Sequence, residues 1–270
     1  MAIDLNQAVF GTDVSHHQGH IDWPTFAAVE NHRWTYIKAT EGTSGPGSIS
    51  PTFLANAQQS KGLIPRGAYH FARPENQPDP IKEAQNFLNM VEQAGGAQNF
   101  ELRPMLDLEE PKSGTWTKKV PPKGQKAFLW VSNWLDYVER ETGSRPILYT
   151  GPNTLNQLEM PDADFKTLAW VPRYPNAKPQ TLSLSTQAVQ LYKDSPAWAK
   201  KVNARIANMP TDIWQYTGHG VMAGTKYRVD MNLTDEQTFS EMKANSGLNL
   251  AGGGAFFLVV AIAFYLVKKG

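Results

Sequence analysis

Four carboxylic acids stand at or near the ends of predicted strands. Asp13 ends the first strand and Asp230 lies in the last, while Asp107 and Glu109 end the fourth. Carboxyl groups that share a cavity cannot all ionise freely, so one keeps its proton near neutral pH and can act as a general acid while its neighbour stabilises positive charge. That division of labour suits glycoside cleavage, in which the leaving oxygen needs a proton and the sugar ring becomes positive.

Asp107 and Glu109 are two residues apart, in the segment RPMLDLE. Side chains at this spacing point to the same face of a strand, about 6.5 to 7 Å apart along the backbone. Leu108 then faces the opposite side, toward the helices. An acid at a strand end also commonly caps the next helix, so the spacing alone leaves both interpretations open.

The sequence is rich in aromatic residues that could bind a sugar. It contains 8 Trp, 9 Tyr and 12 Phe, and several of them fall at predicted strand ends. Aromatic faces bind the apolar faces of sugar rings, although any one of these residues is more often part of a core. The candidates at strand ends are Tyr69, Tyr149, Trp170, Trp214 and Tyr216.

Short apolar, β-branched or aromatic runs alternate with amphipathic stretches between residues 8 and 234, which is typical of an α/β protein. Eight such runs predict an eight-stranded β/α barrel, whose active site lies at the carboxyl ends of its parallel strands. The predicted strands are 8–15, 35–41, 62–71, 103–109, 146–150, 168–174, 212–217 and 227–232. The predicted helices are 24–31, 51–61, 80–94 and 123–142, and residues 175–211 are predicted as a loop with a helix from 196 to 208.

Composition excludes several functions. The chain has 270 residues and no cysteine, which excludes disulfides, thiolate metal sites and a cysteine nucleophile. The net charge of +1 makes nucleic acid an improbable partner. The glycine-rich loops that bind dinucleotides or phosphates and the serine-hydrolase elbow are absent, so we expect no cofactor.

Four further polar residues allow alternative interpretations. His16 and His17 could join the acids in a metal site, but adjacent residues of a strand point to opposite faces and no metal-binding histidine spacing occurs, so we predict no metal. His70 is either a buried histidine inside the barrel or a substrate contact. Glu41 is either a fifth carboxylate of the site or, as we favour, the partner of a neighbouring base.

The segment 250–267 is uncharged and strongly apolar, and it is followed by Lys268 and Lys269. Eighteen residues of helix span about 27 Å, close to the roughly 30 Å of a bilayer core. A buried core helix is the alternative, because only residues 255–267 are free of glycine. We predict a barrel over residues 1–240, a linker over 241–249 and a transmembrane helix over 250–267 that binds a lipid bilayer. The N-terminus has no signal-peptide pattern, so the orientation in the membrane stays open.

Six segments, in this order along residues 10–233, resemble glycoside hydrolase family 25 lysozymes, the Chalaropsis-type N-acetylmuramidases of phages and bacteria. They are GTDVSHHQGHIDW (11–23), YIKATEG (36–42), GAYHFARP (67–74), PMLDLEEP (104–111), ILYTGP (147–152) and WQYTGHGVMAGTKYRVDMN (214–232). The resemblance implies a modified β/α barrel with eight strands and fewer helices. It also implies cleavage of the β-1,4 bond between N-acetylmuramic acid and N-acetylglucosamine in the glycan strands of peptidoglycan.

Position by position, the resemblance implies that Glu109 is the proton donor and that Asp107 stabilises a positively charged intermediate. Asp13 and Asp230 complete the acidic floor of the site. The same resemblance makes Tyr69, Tyr149, Trp170 and Gln215 saccharide contacts. Two other functions stay open at this stage, a wall-binding protein without catalysis and a barrel glycosidase that acts on another amino-sugar polymer such as chitin.

The sequence departs from the family pattern at two places. Pro172 replaces a small residue before the aromatic residue in LAWVPRYP, and the stretch 175–211 is longer than usual. The apolar tail stands where relatives often carry repeats that bind the cell wall. We therefore expect a membrane-tethered enzyme of phage lysis or entry, located in a virion membrane or a bacterial envelope.

Overall fold

The structure, a computed structural model, describes residues 3–43, 48–110, 125–174 and 187–244. Eight strands close into one barrel in chain order, each paired with the next and the last paired with the first. All eight predicted strands are present with shifted ends. They are β1 (Ala8–Val14), β2 (His32–Glu41), β3 (Arg66–Phe71), β4 (Met105–Leu108), β5 (Ile147–Thr150), β6 (Ala169–Pro172), β7 (Ile213–Gly220) and β8 (Val229–Asp235).

The last strand corrects the expected all-parallel arrangement. Strands β1 to β7 pair in parallel, whereas β8 runs antiparallel to both β1 and β7. Asp230 is the second residue of β8 and therefore lies at its amino end, not at a carboxyl end as predicted. Because β8 is reversed, its amino end lies at the carboxyl ends of the other strands, the end that we call the mouth.

The helices differ more from expectation than the strands do. The prediction of fewer helices than strands is not borne out, because the described residues hold eight α-helices beside the eight strands. Most of these helices are short, since only α3 and α4 exceed ten residues. Helices α5, α6 and α8 are additions to the prediction. The bounds are α1 (Trp23–Ala27), α2 (Phe53–Gln59), α3 (Pro80–Gln93), α4 (Gln125–Thr142), α5 (Pro152–Gln157), α6 (Gln187–Asp194), α7 (Pro196–Val202) and α8 (Glu236–Met242).

Helix α3 illustrates how local sequence sets these elements. The Asp79 side chain accepts the Ile81 backbone N–H, and Pro80 occupies the first turn, where its missing N–H costs nothing. Its apolar side chains recur at helical spacing and pack with α4 against the outer face of the sheet. Buried Leu106 and Leu108 of β4 belong to this outer layer, so the side chains between them point into the barrel.

Aromatic rings fill the barrel interior. The ring centroids of Trp34 on β2 and Trp170 on β6 lie 5.3 Å apart, although these strands are not neighbours, so the contact crosses the interior. Tyr36 and Tyr149 also pack edge-on against Trp170. Gly11 makes room for this packing, since a Cβ there would stand 2.0 Å from the Trp34 ring.

Helix α8 closes the end of the barrel opposite the mouth, which we call the base. Phe239 and Met242 are buried in the interior cluster, the Arg103 N–H donates to the Met242 carbonyl, and the Ala244 N–H donates to the Glu101 carbonyl. Residues 241–244 therefore belong to the barrel, and the predicted linker cannot begin at residue 241. The predicted transmembrane segment 250–267 lies outside the described residues, and no helix within them is long and apolar enough to cross a bilayer.

Candidate active site

Asp13 and Asp230 face each other across the β1–β8 pairing. They are direct partners in the strand register, Asp13 is buried and Asp230 is half-buried. The Asp13 Oδ2 atom accepts hydrogen bonds from Asn232 Nδ2 at 2.8 Å and Gln215 Nε2 at 3.1 Å. The sequence placed these two acids 217 residues apart, and the closure of the barrel brings them together.

Asp107 and Glu109 lie on the inner side of β4 and just beyond its end. Asp107 pairs in register with Phe71 on β3 and Tyr149 on β5, which places it inside the mouth. It is 6% exposed, whereas Glu109 is half-buried. The predicted alternation is confirmed, because Leu108 between them is buried in the layer under the helices.

Burial raises the pKa of all four acids, and repulsion from a neighbouring carboxylate adds to the effect at Asp107, Glu109 and Asp230. Burial raises the pKa of Asp107 well above its ordinary value, and the nearby Glu109 charge adds to the effect. Burial likewise raises the pKa of Glu109, and the charge of Asp13 raises it further. The direct interaction of the two carboxyls raises the pKa of Asp107 and lowers that of Glu109, so the proton of the pair is favoured on Asp107.

The Asp13–Asp230 pair behaves in the same way with one difference. Burial raises the pKa of Asp13 to about 6, against the opposing effect of the amide hydrogen bonds from Asn232 and Gln215. Burial and the charge of Asp13 raise the pKa of Asp230 well above its ordinary value. The amide donors favour the ionised form of Asp13, so the proton of this pair rests on Asp230.

Tyr69 stands among all four acids. It is buried on the inner face of β3, and after burial itself the charges of Asp13, Asp107, Asp230 and Glu109 all raise the pKa of its hydroxyl. This common neighbour shows that the four carboxyls predicted from separate segments converge at one mouth. Tyr149 lies beside them, where burial and the Glu109 charge raise its pKa strongly.

A chain of hydrogen bonds holds the side chain of Asp13 in place. Tyr149 donates to Gln215 Oε1 at 2.8 Å, and the Tyr174 hydroxyl contacts the same oxygen. Gln215 is buried with its amide groups engaged, so its contacts are to Asp13 and the two tyrosines. The polar end of Gln215 thus positions Asp13 in this structure.

Trp170 does not have the geometry predicted for a saccharide contact. It is 0% exposed, its ring is packed inside the barrel, and its Nε1 donates to Asn232 Oδ1 at 2.9 Å. The saccharide contact that the family resemblance implies for Trp170 does not fit this burial, because strand alternation turns its ring toward the interior. Its Nε1 instead orients Asn232, whose amide nitrogen binds Asp13.

Sequence reasoning missed three residues of the site, Lys38, Tyr174 and Asn232. Lys38 lies in YIKATEG, Tyr174 in LAWVPRYP and Asn232 in VDMN. Asn232 follows Asp230 by two residues, so strand alternation alone could have placed both on the inner face. Tyr174 is 49% exposed, so its ring is open to a ligand at the mouth.

The two ambiguous residues are resolved by their partners. Glu41 forms ion pairs with Lys38 and Arg73, which confirms the interpretation as the partner of a base. His70 fits neither interpretation, because it lies on the outer face of β3, where it bonds Glu83 and stacks on Trp134. Across the described ranges, no group of three or more histidines and acids could hold a metal ion.

Comparison with known proteins relates this arrangement to one family. The sequence model of glycosyl hydrolases family 25 matches residues 12–225. The chain is 28% identical over 248 residues to the uncharacterised protein YegX of Escherichia coli (strain K12), which covers 90% of this chain and 75% of that protein. It is also 28% identical over 231 residues to Lysozyme M1 of Streptomyces globisporus, covering 83% of this chain and 67% of that protein.

The fold is similar to solved structures as well. The crystal structure of a bacterial lysozyme from Streptomyces coelicolor matches with a TM-score of 0.66 and 25% identity, over 87% of this chain and 94% of that one. A family 25 glycosyl hydrolase from Bacillus anthracis matches with a TM-score of 0.62 and 23% identity, over 87% and 94%. With the family model matching most of its length, this chain belongs to glycosyl hydrolases family 25.

Proposed function

We propose that the chain is a muramidase, which hydrolyses the β-1,4 bond between N-acetylmuramic acid and N-acetylglucosamine in peptidoglycan. The observation that carries the proposal is the convergence of four acids around Tyr69 at one mouth of the barrel. Family membership and the similarity to Lysozyme M1 support the same activity.

Glu109 is the proton donor in this proposal. It is the more exposed member of its pair, and it lies beyond the end of β4, where the oxygen of a bound glycan can reach it. Its raised pKa favours the protonated form that a general acid needs. Its carboxyl interacts directly with that of Asp107, so the proton of the pair passes from the deeper carboxyl to the outer one when the glycan oxygen takes it.

Once that proton has left, Asp107 carries the negative charge that stabilises the positive sugar ring or an intermediate formed by the substrate's own acetamido group. Substrate-assisted routes of this kind are a known variant of the two-carboxylate scheme. Asp13 and Asp230 complete the floor, with Asp13 held by Asn232 and Gln215. Tyr69, Tyr149 and the exposed ring of Tyr174 are the candidate saccharide contacts.

The test is release of reducing ends from purified peptidoglycan, followed by mass analysis of the fragments. We expect reducing N-acetylmuramic acid ends from the wild type. Glu109→Gln should lose about 10²- to 10⁴-fold in rate, the usual contribution of a general acid. Glu92→Gln, an exposed position on α3, is the matched control and should retain full activity.

Other outcomes select other functions. Binding of peptidoglycan with no bond cleavage by the wild type indicates a wall-binding protein. Cleavage of chitin in preference to peptidoglycan indicates a different amino-sugar polymer. An active Glu109→Gln variant removes Glu109 from its role.

We also propose that residues 250–267 tether the barrel to a bilayer in a virion or a bacterial envelope, as part of phage lysis or entry. The position of Ala244 supports an orientation in which the mouth faces away from the bilayer. Ala244, the last described residue, bonds Glu101 at the base of the barrel. The eight residue steps from Glu101 to Glu109, which include the four residues of β4, span about 26 Å when extended. Residues 245–249 reach at most about 20 Å, which is less than the distance from the base to the mouth. The mouth therefore cannot lie against the bilayer while residue 250 enters it.

The tether can be tested because the chain has no cysteine and accepts single labels cleanly. The full chain should float with phospholipid vesicles, whereas residues 1–244 should not. A fluorophore at Gln98→Cys near the base should be quenched by an acceptor in the lipid headgroups more strongly than one at Tyr227→Cys near the mouth. Absence of flotation refutes the tether, and equal quenching refutes the orientation.

A further inference from the structure

Lys38 is a buried cation beside a site crowded with acids. Its side chain is 10% exposed, and it lies on β2 in register with Tyr69, the residue that all four carboxyls surround. Within the described part of the chain, the other buried side chain with a fixed positive charge is Arg66, which pairs with Glu101 at the base. A lysine ammonium is strongly hydrated, so its burial needs compensation by nearby negative charge.

The ammonium of Lys38 is held by two neighbours. Its Nζ lies 2.5 Å from Glu41 Oε2, and the other oxygen of Glu41 accepts from Arg73 Nε at 2.7 Å. The ring of Phe71 lies between the cations, with its centroid 4.6 Å from Lys38 Nζ and 4.4 Å from Arg73 Cζ. Lys38, Glu41 and Arg73 therefore form a cation–anion–cation cluster, and Arg73 also contacts Glu75 Oε1 at 3.4 Å.

This cluster adjoins the catalytic pair. Phe71, on which the ammonium rests, is the register partner of Asp107 on β4, and their side chains are neighbours on the inner face. The charge of Lys38 lowers the pKa of both Asp107 and Glu109, in opposition to burial, and Arg73 lowers that of Glu109. Other acids oppose it there, since Asp13 raises the pKa of both carboxyls of the pair.

We propose that Lys38 is a positioning residue for the reaction, whose ammonium keeps one carboxyl of the Asp107–Glu109 pair ionised while the other holds the proton. Glu41 and Arg73 fix the ammonium in place. The inference rests on the proposed muramidase function. Without this cation, burial and repulsion from Asp13 favour the doubly protonated pair, which has no charge to stabilise a positive sugar ring.

The test is the pH dependence of kcat/KM and of kcat in Lys38→Met, measured on soluble peptidoglycan fragments. An opposite charge at close range moves a carboxyl pKa by about one to three units, so the acid limb should move upward by about one pH unit or more. The activity of Lys38→Met at the acid side should fall at least about tenfold relative to its activity at its own optimum. Lys38→Arg keeps the charge and should restore most of the wild-type profile.

Two matched variants complete the design. Lys61→Met removes an exposed lysine and should leave the profile unchanged. Arg73→Met should move the acid limb in the same direction by less, because Arg73 acts on Glu109 alone among the pair. Arg73 also tests the proposal if Lys38→Met fails to fold.

The outcomes separate this inference from the proposed function. A wild type without hydrolytic activity at any pH refutes the proposed function and the inference with it. An active wild type whose profile is unmoved by Lys38→Met, with rate lost uniformly across pH, shows that Lys38 is merely structural and overturns the inference alone. The same holds if Lys38→Arg moves the profile as far as Lys38→Met does.

Discussion

Two buried groups of polar side chains lie back to back on β3. Tyr69 points into the barrel among four carboxyls, and the next residue, His70, points outward to Glu83 on α3. In the outer group, Glu83 Oε2 bonds His70 Nε2 at 2.8 Å and accepts the Arg73 backbone N–H at 3.0 Å. His70 Nδ1 in turn bonds the Thr40 hydroxyl at 2.8 Å.

The two groups solve the same problem of burial in opposite ways. The outer acid receives two nitrogen donors on its Oε2, whereas its Oε1 has no hydrogen-bond partner among the described residues, and the two bonds hold α3 against β3. The inner acids are matched largely by one another, so their burial raises each pKa and opposes ionisation. The contrast indicates that stability resides in the outer group and reactivity in the inner one.

The largest expected effect on stability tests the outer group. Glu83→Ala leaves the His70 Nε2 and the Arg73 N–H without their acceptor in a buried layer, and breaking such a pair typically costs about 3–5 kcal/mol. Urea unfolding of Glu83→Ala and of Glu92→Ala, an exposed position on the same helix, measures the difference. If the two variants are equally stable, the outer group contributes nothing to folding and the comparison fails.

Ionisation of the inner acids should lower the free energy of unfolding, whereas the ionised outer acid should raise it. The pKa of Asp13 is about 6 in the folded state and 3.8 ordinarily, so its contribution to stability is fully present below about pH 3.8 and is lost as pH rises through about 6. Relative to Asp13→Asn, the wild type should lose about 3 kcal/mol of unfolding free energy between pH 3.5 and pH 7.

Paired urea titrations of the wild type and Asp13→Asn at several pH values test this sign. A wild type that gains stability relative to the variant as pH rises would show that Asp13 is stabilised as an anion. The inner group would then resemble the outer one.

The smallest expected effect tests the hydrogen bond from Trp170 to Asn232, the residue that orients Asp13. Trp170→Phe keeps a packed ring but removes the donor to Asn232, at a cost of about 1 kcal/mol. Because Asn232 orients Asp13, kcat should fall while KM is unchanged. Trp134→Phe in the outer layer is the control, since Trp134 Nε1 has no hydrogen-bond partner among the described residues. A rise in KM would restore Trp170 as a saccharide contact.

The alternation of side chains along strands accounts for most of the predictions that the structure confirms. The eight strands and the inward direction of Asp107 followed from local pattern, because side chains alternate with a period of two along any strand. Applied to β6 and β3, the same rule places Trp170 inside the barrel and His70 on its outer face. Both are buried, on opposite faces of the sheet.

Local sequence patterns do not predict features that depend on strand direction and pairing. Asp230 reaches the mouth because β8 is antiparallel, and no pattern within VDMN specifies that direction. Lys38 acquires its position beside Asp107 through the register of β2 with β3 and of β3 with β4. Such relations join segments more than thirty residues apart, and only the closed sheet defines them.

The sequence by itself determined the chemical inventory of this protein, namely the acids, the aromatic residues, the missing thiols and the order of strands, because these follow from residue type and local spacing. The tertiary structure decided which acids face one another, which aromatic rings are open to a ligand, and where a cation stands near them. The physical reason is that pKa values and access depend on distance and burial, which arise only when distant segments pack together.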